Sequence, residues 1–488
     1  MAKRPPQLTA ETLTRRLGPF IRRAMRTWHV PGLAIGIVRR GRTILAKGYG
    51  LRDVRRALPV TDRTLFAIAS CTKAFTATSL GILADEKKLQ WDRPVREVLP
   101  GFRLADPVAT QHATIRDLLC HRTGLPRHDP VWYDAKRSKR ELLARLPHLP
   151  LSKDFRAAWQ YQNILYAVAG LVLEQITGQP WEQFVRERIL APVGMGRSNL
   201  SVDESQKDSD VALPYAARGS RVHRTRFYEQ CGITPAGGVN SCVADMTRWM
   251  LLNLGAGKLG RARIVSAETL REIHKPQMVM GGEPPWPEML QPTYAMGWAD
   301  QAYRGRRMLC HGGGIDGFSS YVILHPRERI GIVVLTNLGG QPAPQAVVQY
   351  AQDLLLGARP APWIRRLTDS QAEAKKNDAR DRRRSARKRV RGTKPSHRLA
   401  CYVGEFRHDG YGVLGVERKG RRLQAVFRGK AHRLSHYHYD VFVCEKLVWE
   451  RPEKVSFHTD ADGRIESLSV SFEPEVAPIV FRRADGGE

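Results

Sequence analysis

The chain has 488 residues, of which 42% are hydrophobic and 26% charged, enough apolar material for two or three packed domains and too much for a disordered chain. Its 79 Lys and Arg outnumber 48 Asp and Glu, for a formal net charge of +31, a balance that favours polyanions nearby but says nothing of fold. No apolar run reaches the roughly 18 residues of a membrane-spanning helix, so no membrane partner is expected.

The elements follow in chain order. The first residues carry positive charge without an apolar stretch or a small-residue cleavage site, so a secretory leader is not expected. Residues 9–28 read as a helix. Leu13, Leu17, Ile21, Met25 and Trp28 recur at helical spacing, with Arg15, Arg16, Arg22 and Arg23 on the opposite face. Pro31 and Gly32 stop it. Residues 32–38 and 43–48 form a strand pair, and a second pair is expected at 320–324 and 330–336. Strands at both ends of a mixed region predict an α+β domain whose ends meet in one sheet. From Lys375 to Arg398 stand 12 Lys or Arg against two acids, Asp378 and Asp381, which reads as a charged linker, mobile or loosely helical. From Leu399 short alternating stretches separated by Lys419-Gly420, Arg428-Gly429 and Asp462-Gly463 predict a small β-barrel or sandwich.

Three segments can carry chemistry. In Ser70-Cys71-Thr72-Lys73 an apolar run leads to the serine and helix formers follow. The spacing puts Ser70 at a helix start and Lys73 one turn on, on the same face. A buried amine with a lowered pKa can accept the serine proton, and a helix N-terminus favours developing negative charge. The alternative for Ser70 is an ordinary N-cap. A second S-x-x-K, Ser385 to Lys388, lies in the basic segment without apolar surroundings. In Tyr161-Gln162-Asn163, ahead of an amphipathic helix, a phenol could relay protons and an amide could hold a substrate carbonyl; the alternative is a core tyrosine with a capping asparagine. In His311-Gly312-Gly313-Gly314, glycines before a strand allow close approach of a substrate, free N–H groups can face an oxyanion, and the histidine can bind a carboxylate or aid proton transfer. The alternative there is a glycine turn with an exposed histidine.

Together, SCTK, YQN and HGG resemble the beta-lactamase-related serine hydrolases, which span class C beta-lactamases, D-alanyl-D-alanine carboxypeptidases, esterases and D-aminopeptidases. The flanking stretches 114–126, 170–195, 235–250 and 311–322 are similar too, so the resemblance covers roughly residues 10–355. It implies an α+β transpeptidase-like domain, with an antiparallel sheet, helices on both faces and a helical region. It implies Ser70 as acyl-accepting nucleophile, Lys73 and Tyr161 sharing general-base and general-acid duty, Asn163 on the substrate amide, and the glycine run around Gly313 at the oxyanion, with the backbone N–H groups of Ser70 and Gly314 as the hole. His311 stands where lactamases carry the lysine of their K-T-G motif, a departure typical of the peptidase and esterase branches. CHRTG (120–124) also departs from the commoner T-H-T-S-G. The segment from about 399, with CYVGEF at 401–406, resembles a small β-barrel often appended to these hydrolases, which in some relatives supports oligomers or limits access to the active site.

The expected organisation is therefore a hydrolase domain at 1–363, a basic linker at 364–398 and a barrel domain at 399–488. The expected activity is hydrolysis of an ester, an amide or a short D-amino-acid peptide through an acyl-enzyme. The alternatives are an exported penicillin-binding protein or beta-lactamase, and a non-catalytic binding protein on the same fold. No cofactor is implied. Seven cysteines without paired spacing read as reduced thiols in a cytoplasmic protein. His432, His436 and His438 read as one polar strand face and not as a metal site. A homo-oligomer and weak polyanion contact through the basic linker are further expectations.

Overall fold

The alternating apolar residues of Gly32–Arg39 (β1) face two separate cores. Leu33, Ile35 and Ile37 pack with Leu13, Leu17 and Ile21 of helix α1 (Ala10–Thr27) and with Val347 and Ala351 of the helix Ala343–Leu355. Ala34 and Val38 point the other way, toward Val243, Met246 and Met250 of the helix Val243–Leu254. That is the period of two expected of a strand covered on both sides. Gly36 lies between them because a Cβ there would come within 2.8 Å of Thr247. The structure is a computed structural model and describes residues 10–219, 221–448 and 451–484. Thr9, the first residue of the expected helix, the N-terminal charged stretch and the last four residues of the expected barrel domain lie outside the described residues.

β1 belongs to a nine-stranded antiparallel sheet. On one side it pairs with Arg42–Asp53 (β2), which pairs with Leu58–Pro59 (β3). On the other it pairs with Ile330–Thr336 (β9), Leu33 opposite Thr336. The sheet continues through Phe318–His325 (β8), Arg306–Ile315 (β7), Ala299–Tyr303 (β6), Thr293–Tyr294 (β5) and Met278–Val279 (β4). The two ends of the first domain thus meet in one sheet, as the strand pattern predicts. Between β3 and β4 lies the helical region, built around Lys73–Asp85 (α2) and Ile164–Thr177 (α3). Every residue of α3 from Ile164 to Leu173 is buried. This helix is apolar all round and not amphipathic, as befits one enclosed by neighbours.

The C-terminal part is a closed antiparallel barrel of eight strands running from Gly404–His408 to Ile479–Arg483. Phe406, Leu414, Phe427, Phe457, Leu468 and Phe481 fill its interior. His432, His436 and His438 lie on the barrel strand Lys430–His438.

The basic segment forms one 25-residue helix, Trp363–Arg387. Where the sequence suggested a mobile or loosely helical linker, both ends are anchored. Trp363, Ile364 and Leu367 are buried in the first two turns, and Trp28 Nε1 donates to Gln371 Oε1 at 2.8 Å. At the far end the Tyr437 hydroxyl donates to the Ser385 carbonyl, and Arg389 Nε donates to the Tyr437 carbonyl at 2.6 Å. The middle is polar all round, as in helices that bridge domains through solvent. Ser385 and Lys388 sit at its C-terminal end. Among the described residues no helix is long and apolar enough to cross a membrane.

Candidate active site

Ser70 lies in a tight turn, Ala69–Thr72, that runs directly into α2. Ala69 holds a left-handed backbone (φ 47°), a conformation that a non-glycine residue keeps only when its surroundings impose it. The surroundings are β7, β8 and the segment at Val239. The Cys71 thiol bonds to the His311 carbonyl at 3.4 Å, the Ser320 hydroxyl donates to the Ile68 carbonyl at 2.8 Å, and the Val239 N–H donates to Thr72 Oγ1 at 3.1 Å. Burial pushes the Cys71 thiol up to about 12, so it stays protonated and inert beside the serine.

Lys73 is wholly buried, and its Nζ has three oxygen neighbours: Asn163 Oδ1 at 2.8 Å, the Ala236 carbonyl at 3.0 Å and Ser70 Oγ at 3.2 Å. Burial first, and the Arg127 charge second, hold its pKa well below the ordinary lysine value, while Asp129 acts against them. A neutral amine has two N–H groups and one lone pair. The amide oxygen and the carbonyl can only accept, so in the uncharged form of the amine they would take its two N–H groups and leave its lone pair for the Ser70 hydroxyl. Asn163 precedes α3 but does not cap it with its side chain; Gln162 Oε1 accepts from the Ile164 N–H instead, at 2.6 Å.

The Tyr161 phenol bonds to Ser70, and its ring lies 4.7 Å from Lys73 Nζ. Burial raises its pKa beyond the usual tyrosine value, so it rests as a proton donor. His311 is buried and lies beside Tyr161, ring centroids 6.3 Å apart. Its Nδ1 donates to the Gly312 carbonyl at 2.7 Å, which leaves Nε2 to accept from the Tyr294 hydroxyl at 2.9 Å. Burial, followed by the Lys73 charge, lowers its pKa to about 3, so the ring is uncharged. Both ring nitrogens are therefore engaged within the protein.

The glycines after it differ in function. A Cβ on Gly313 would collide with the Ile68 carbonyl oxygen and the Ser320 hydroxyl, so Gly313 lets β7 lie directly against the segment that carries Ser70. Gly314 has open space where a side chain would stand, and it lines the cleft.

That cleft has a volume of about 1050 Å³ and brings together Ser70, Asn163 and Gly314. Lys73, Tyr161 and His311 stand behind these residues. Lys446 of the barrel also reaches the cleft wall. Sequence reasoning missed several groups. His121 holds a left-handed backbone (φ 59°) and accepts from the Gln162 N–H at 3.1 Å, fixing the Tyr161–Asn163 segment. Arg127 and Asp129 also went unnoticed, although two opposite charges two residues apart between Pro126 and Pro130 were a usable signal.

Known proteins resemble this chain. Residues 19–356 match the family described as Beta-lactamase, and residues 388–483 match a domain of unknown function, DUF3471. The chain is 29% identical over 439 residues to the unguisins hydrolase ungD' of Aspergillus campestris (strain IBT 28561), covering 84% of this chain and 78% of the relative. It is 27% identical over 323 residues to Protein flp of Staphylococcus aureus, covering 65% of this chain and 62% of that protein. Among solved structures, an octameric penicillin-binding protein homologue from Pyrococcus abyssi superposes with a TM-score of 0.66 at 23% identity, covering 96% of this chain and 100% of that one. A class C beta-lactamase gives a TM-score of 0.61 at 20% identity, covering 73% of this chain and 99% of that one. These two likenesses are of fold.

Proposed function

The chain belongs to the beta-lactamase family, and from that premise we propose that it is a serine hydrolase that cleaves an ester or amide bond through an acyl-enzyme on Ser70. The observation that carries this is the contact of Lys73 Nζ with the Ser70 hydroxyl at 3.2 Å, with Asn163 Oδ1 and the Ala236 carbonyl in its other two directions.

In this reading Lys73 Nζ takes the hydroxyl proton as Ser70 Oγ bonds to the substrate carbonyl carbon. The carbonyl oxygen becomes an oxyanion, received by the backbone N–H groups of Ser70 and Gly314. Tyr161 donates its phenolic proton to the departing oxygen or nitrogen as that bond breaks, and the lysine proton restores the phenol. Water then attacks the acyl carbon with the same groups in reverse, releasing the acid and free Ser70. Asn163 Oδ1 is occupied by Lys73, so its role is to aim the amine before it meets a substrate. The reaction as written needs no cofactor.

Within the class, esters, amides and D-amino-acid peptides are favoured over beta-lactams. An uncharged His311 stands in place of the lactamase K-T-G lysine, so the cation that lactamases carry at this one position is missing. The Aspergillus relative named as a hydrolase of unguisins supports hydrolysis, and the octameric Pyrococcus homologue supports a homo-oligomer, which sedimentation would test. A cytoplasmic location rests on the cysteine content and is tested by fractionation. The activity is tested by Ser70→Ala on p-nitrophenyl acetate and D-amino-acid amides. Removing the nucleophile should lower kcat by roughly 10⁴-fold or more; unchanged turnover would end the proposal.

A further inference from the structure

The loop after CHRTG touches both the reactive cluster and the barrel. Its centre is His128, buried and in the left-handed region at φ 45°, a strained state for a histidine that its neighbours must impose. Two of its four polar contacts come from the barrel, and within the loop its carbonyl accepts from the Val131 N–H at 2.8 Å. Its backbone N–H donates to Glu473 Oε2 at 2.9 Å, and its Nδ1 meets the Tyr411 hydroxyl at 2.7 Å. Its Nε2 meets the Pro150 carbonyl at 2.9 Å. The carbonyl can only accept, so Nε2 carries the proton and Nδ1 accepts from Tyr411: a neutral imidazole with every valence used. The rest of the loop is gripped from the same side. Arg428 donates to the Tyr133 carbonyl, Lys430 pairs with Asp134, and Arg137 Nη2 donates to the Tyr411 carbonyl at 3.1 Å.

The residues flanking His128 face the other way. Arg127 Nε pairs with Asp129 Oδ2 at 2.6 Å, and the guanidinium lies 5.0 Å from the Tyr161 ring centroid. Asp129 Oδ1 accepts from Trp132 Nε1 at 2.8 Å and from Asn163 Nδ2 at 3.3 Å. This last bond determines which end of the Asn163 amide faces which partner. With Nδ2 held by a carboxylate, Oδ1 must face Lys73, and the lone pair of Lys73 is thereby left for Ser70.

We propose that Asp129 and Arg127 are positioning residues for the Ser70–Lys73–Tyr161 cluster, held in register by the barrel through His128, so that the C-terminal domain is a working part of the active site. This rests on the serine-hydrolase reading and goes beyond it. The path runs from Glu473 and Tyr411 to His128, across one peptide to Asp129, and then through Asn163 to Lys73.

The full-length chain is assayed with p-nitrophenyl acetate, and Ser70 is labelled with a fluorophosphonate probe. Labelling and turnover of the unaltered protein test the parent reading by themselves; if both are absent, that reading fails first. If they are present, Asp129→Asn should lower kcat roughly 10- to 100-fold, the scale of a small misplacement of reacting groups, with KM less affected. Lys73 faces Arg127, Asp129, Tyr161, Tyr166, Cys71, His121 and His311. Of these, Asp129 and Arg127 act on it in opposite directions, Asp129 raising and Arg127 lowering its pKa. Loss of the Asp129 charge should therefore move the acid limb of kcat to lower pH, and Arg127→Gln should move it to higher pH. Tyr411→Phe and Glu473→Ala, remote from the chemistry, should each lower kcat while the far-ultraviolet spectrum and cooperative melting persist. Glu466→Gln, on an exposed barrel position, should change nothing. The proposal is overturned if Asp129→Asn and Arg127→Gln leave the acid limb in place, or if folded Tyr411→Phe and Glu473→Ala proteins keep the unaltered kcat.

Discussion

In the proposed reaction, environment alone would divide the acid and base roles between Lys73 and Tyr161. Both are buried beside one hydroxyl, yet burial favours the neutral form of each, and the neutral forms differ: a lysine becomes an acceptor and a tyrosine remains a donor. Two outcomes follow at this scale. A base whose pKa is lowered is active once its proton has left, so kcat/KM should rise with pH along its acid limb and level off well below the ordinary lysine range. A pH–rate profile that still climbs steeply near pH 10, the ordinary lysine region, would contradict this. Tyr161→Phe should separate substrates by leaving group. An amide needs its nitrogen protonated and should lose roughly 10²- to 10⁴-fold, whereas p-nitrophenolate departs unaided and should lose far less. Equal losses on both would remove Tyr161 from the acid role.

Among elements, the junction of β7 with the Ser70 turn is where packing and chemistry are hardest to separate by sequence. HGGG reads as one flexible, substrate-facing run, but its glycines do different work. Gly313 is required by the Ile68 carbonyl behind it, and Gly314 by the cleft in front. Gly313→Ala should therefore lower stability by about 1–3 kcal/mol, the cost of overpacking a tight contact. Gly314→Ala should leave the melting temperature nearly unchanged and weaken turnover. Thermal melts of the two variants, with parallel kinetics, would show whether they divide this way. The strands and α1 were legible because their periodicity is carried by their own residues. The basic helix Trp363–Arg387 was less so. Its charged middle has no apolar face, and what fixes its course is a buried Trp363 at one end and Tyr437 of the barrel at the other.

For the molecule as a whole, the charge of +31 reaches the cleft. Arg127, Arg218, Arg221 and Lys446 line it with Asp129 and Asp316. Asp129 is paired with Arg127, and both oxygens of Asp316 accept from the Tyr133 hydroxyl. A cleft with this excess of cations should draw in anionic substrates by long-range attraction. The kcat/KM of a p-nitrophenyl hemisuccinate should fall by roughly tenfold as ionic strength rises from about 0.01 M to 1 M and the Debye length shrinks from about 30 Å to 3 Å. That of neutral p-nitrophenyl acetate should hold steady. Parallel salt dependence of the two esters would contradict the steering argument.

That Ser70, Lys73, Tyr161 and Asn163 form two close pairs was legible in the sequence, because Ser70 and Lys73 sit one helical turn apart and the phenol and amide are two residues apart. Chain connectivity alone brings each pair together, and the α+β domain and the barrel could be read from periodicities of 3.6 and 2. Only the tertiary structure decided which partner each group faces. Asp129 is 34 residues from Asn163, and Glu473 is 345 from His128; such contacts leave no periodic trace, because the residues share neither helix nor strand. The protonation states were decided the same way. Burial lowers the pKa of Lys73 and of His311, and burial is a property of everything packed around a side chain, not of its neighbours along the chain.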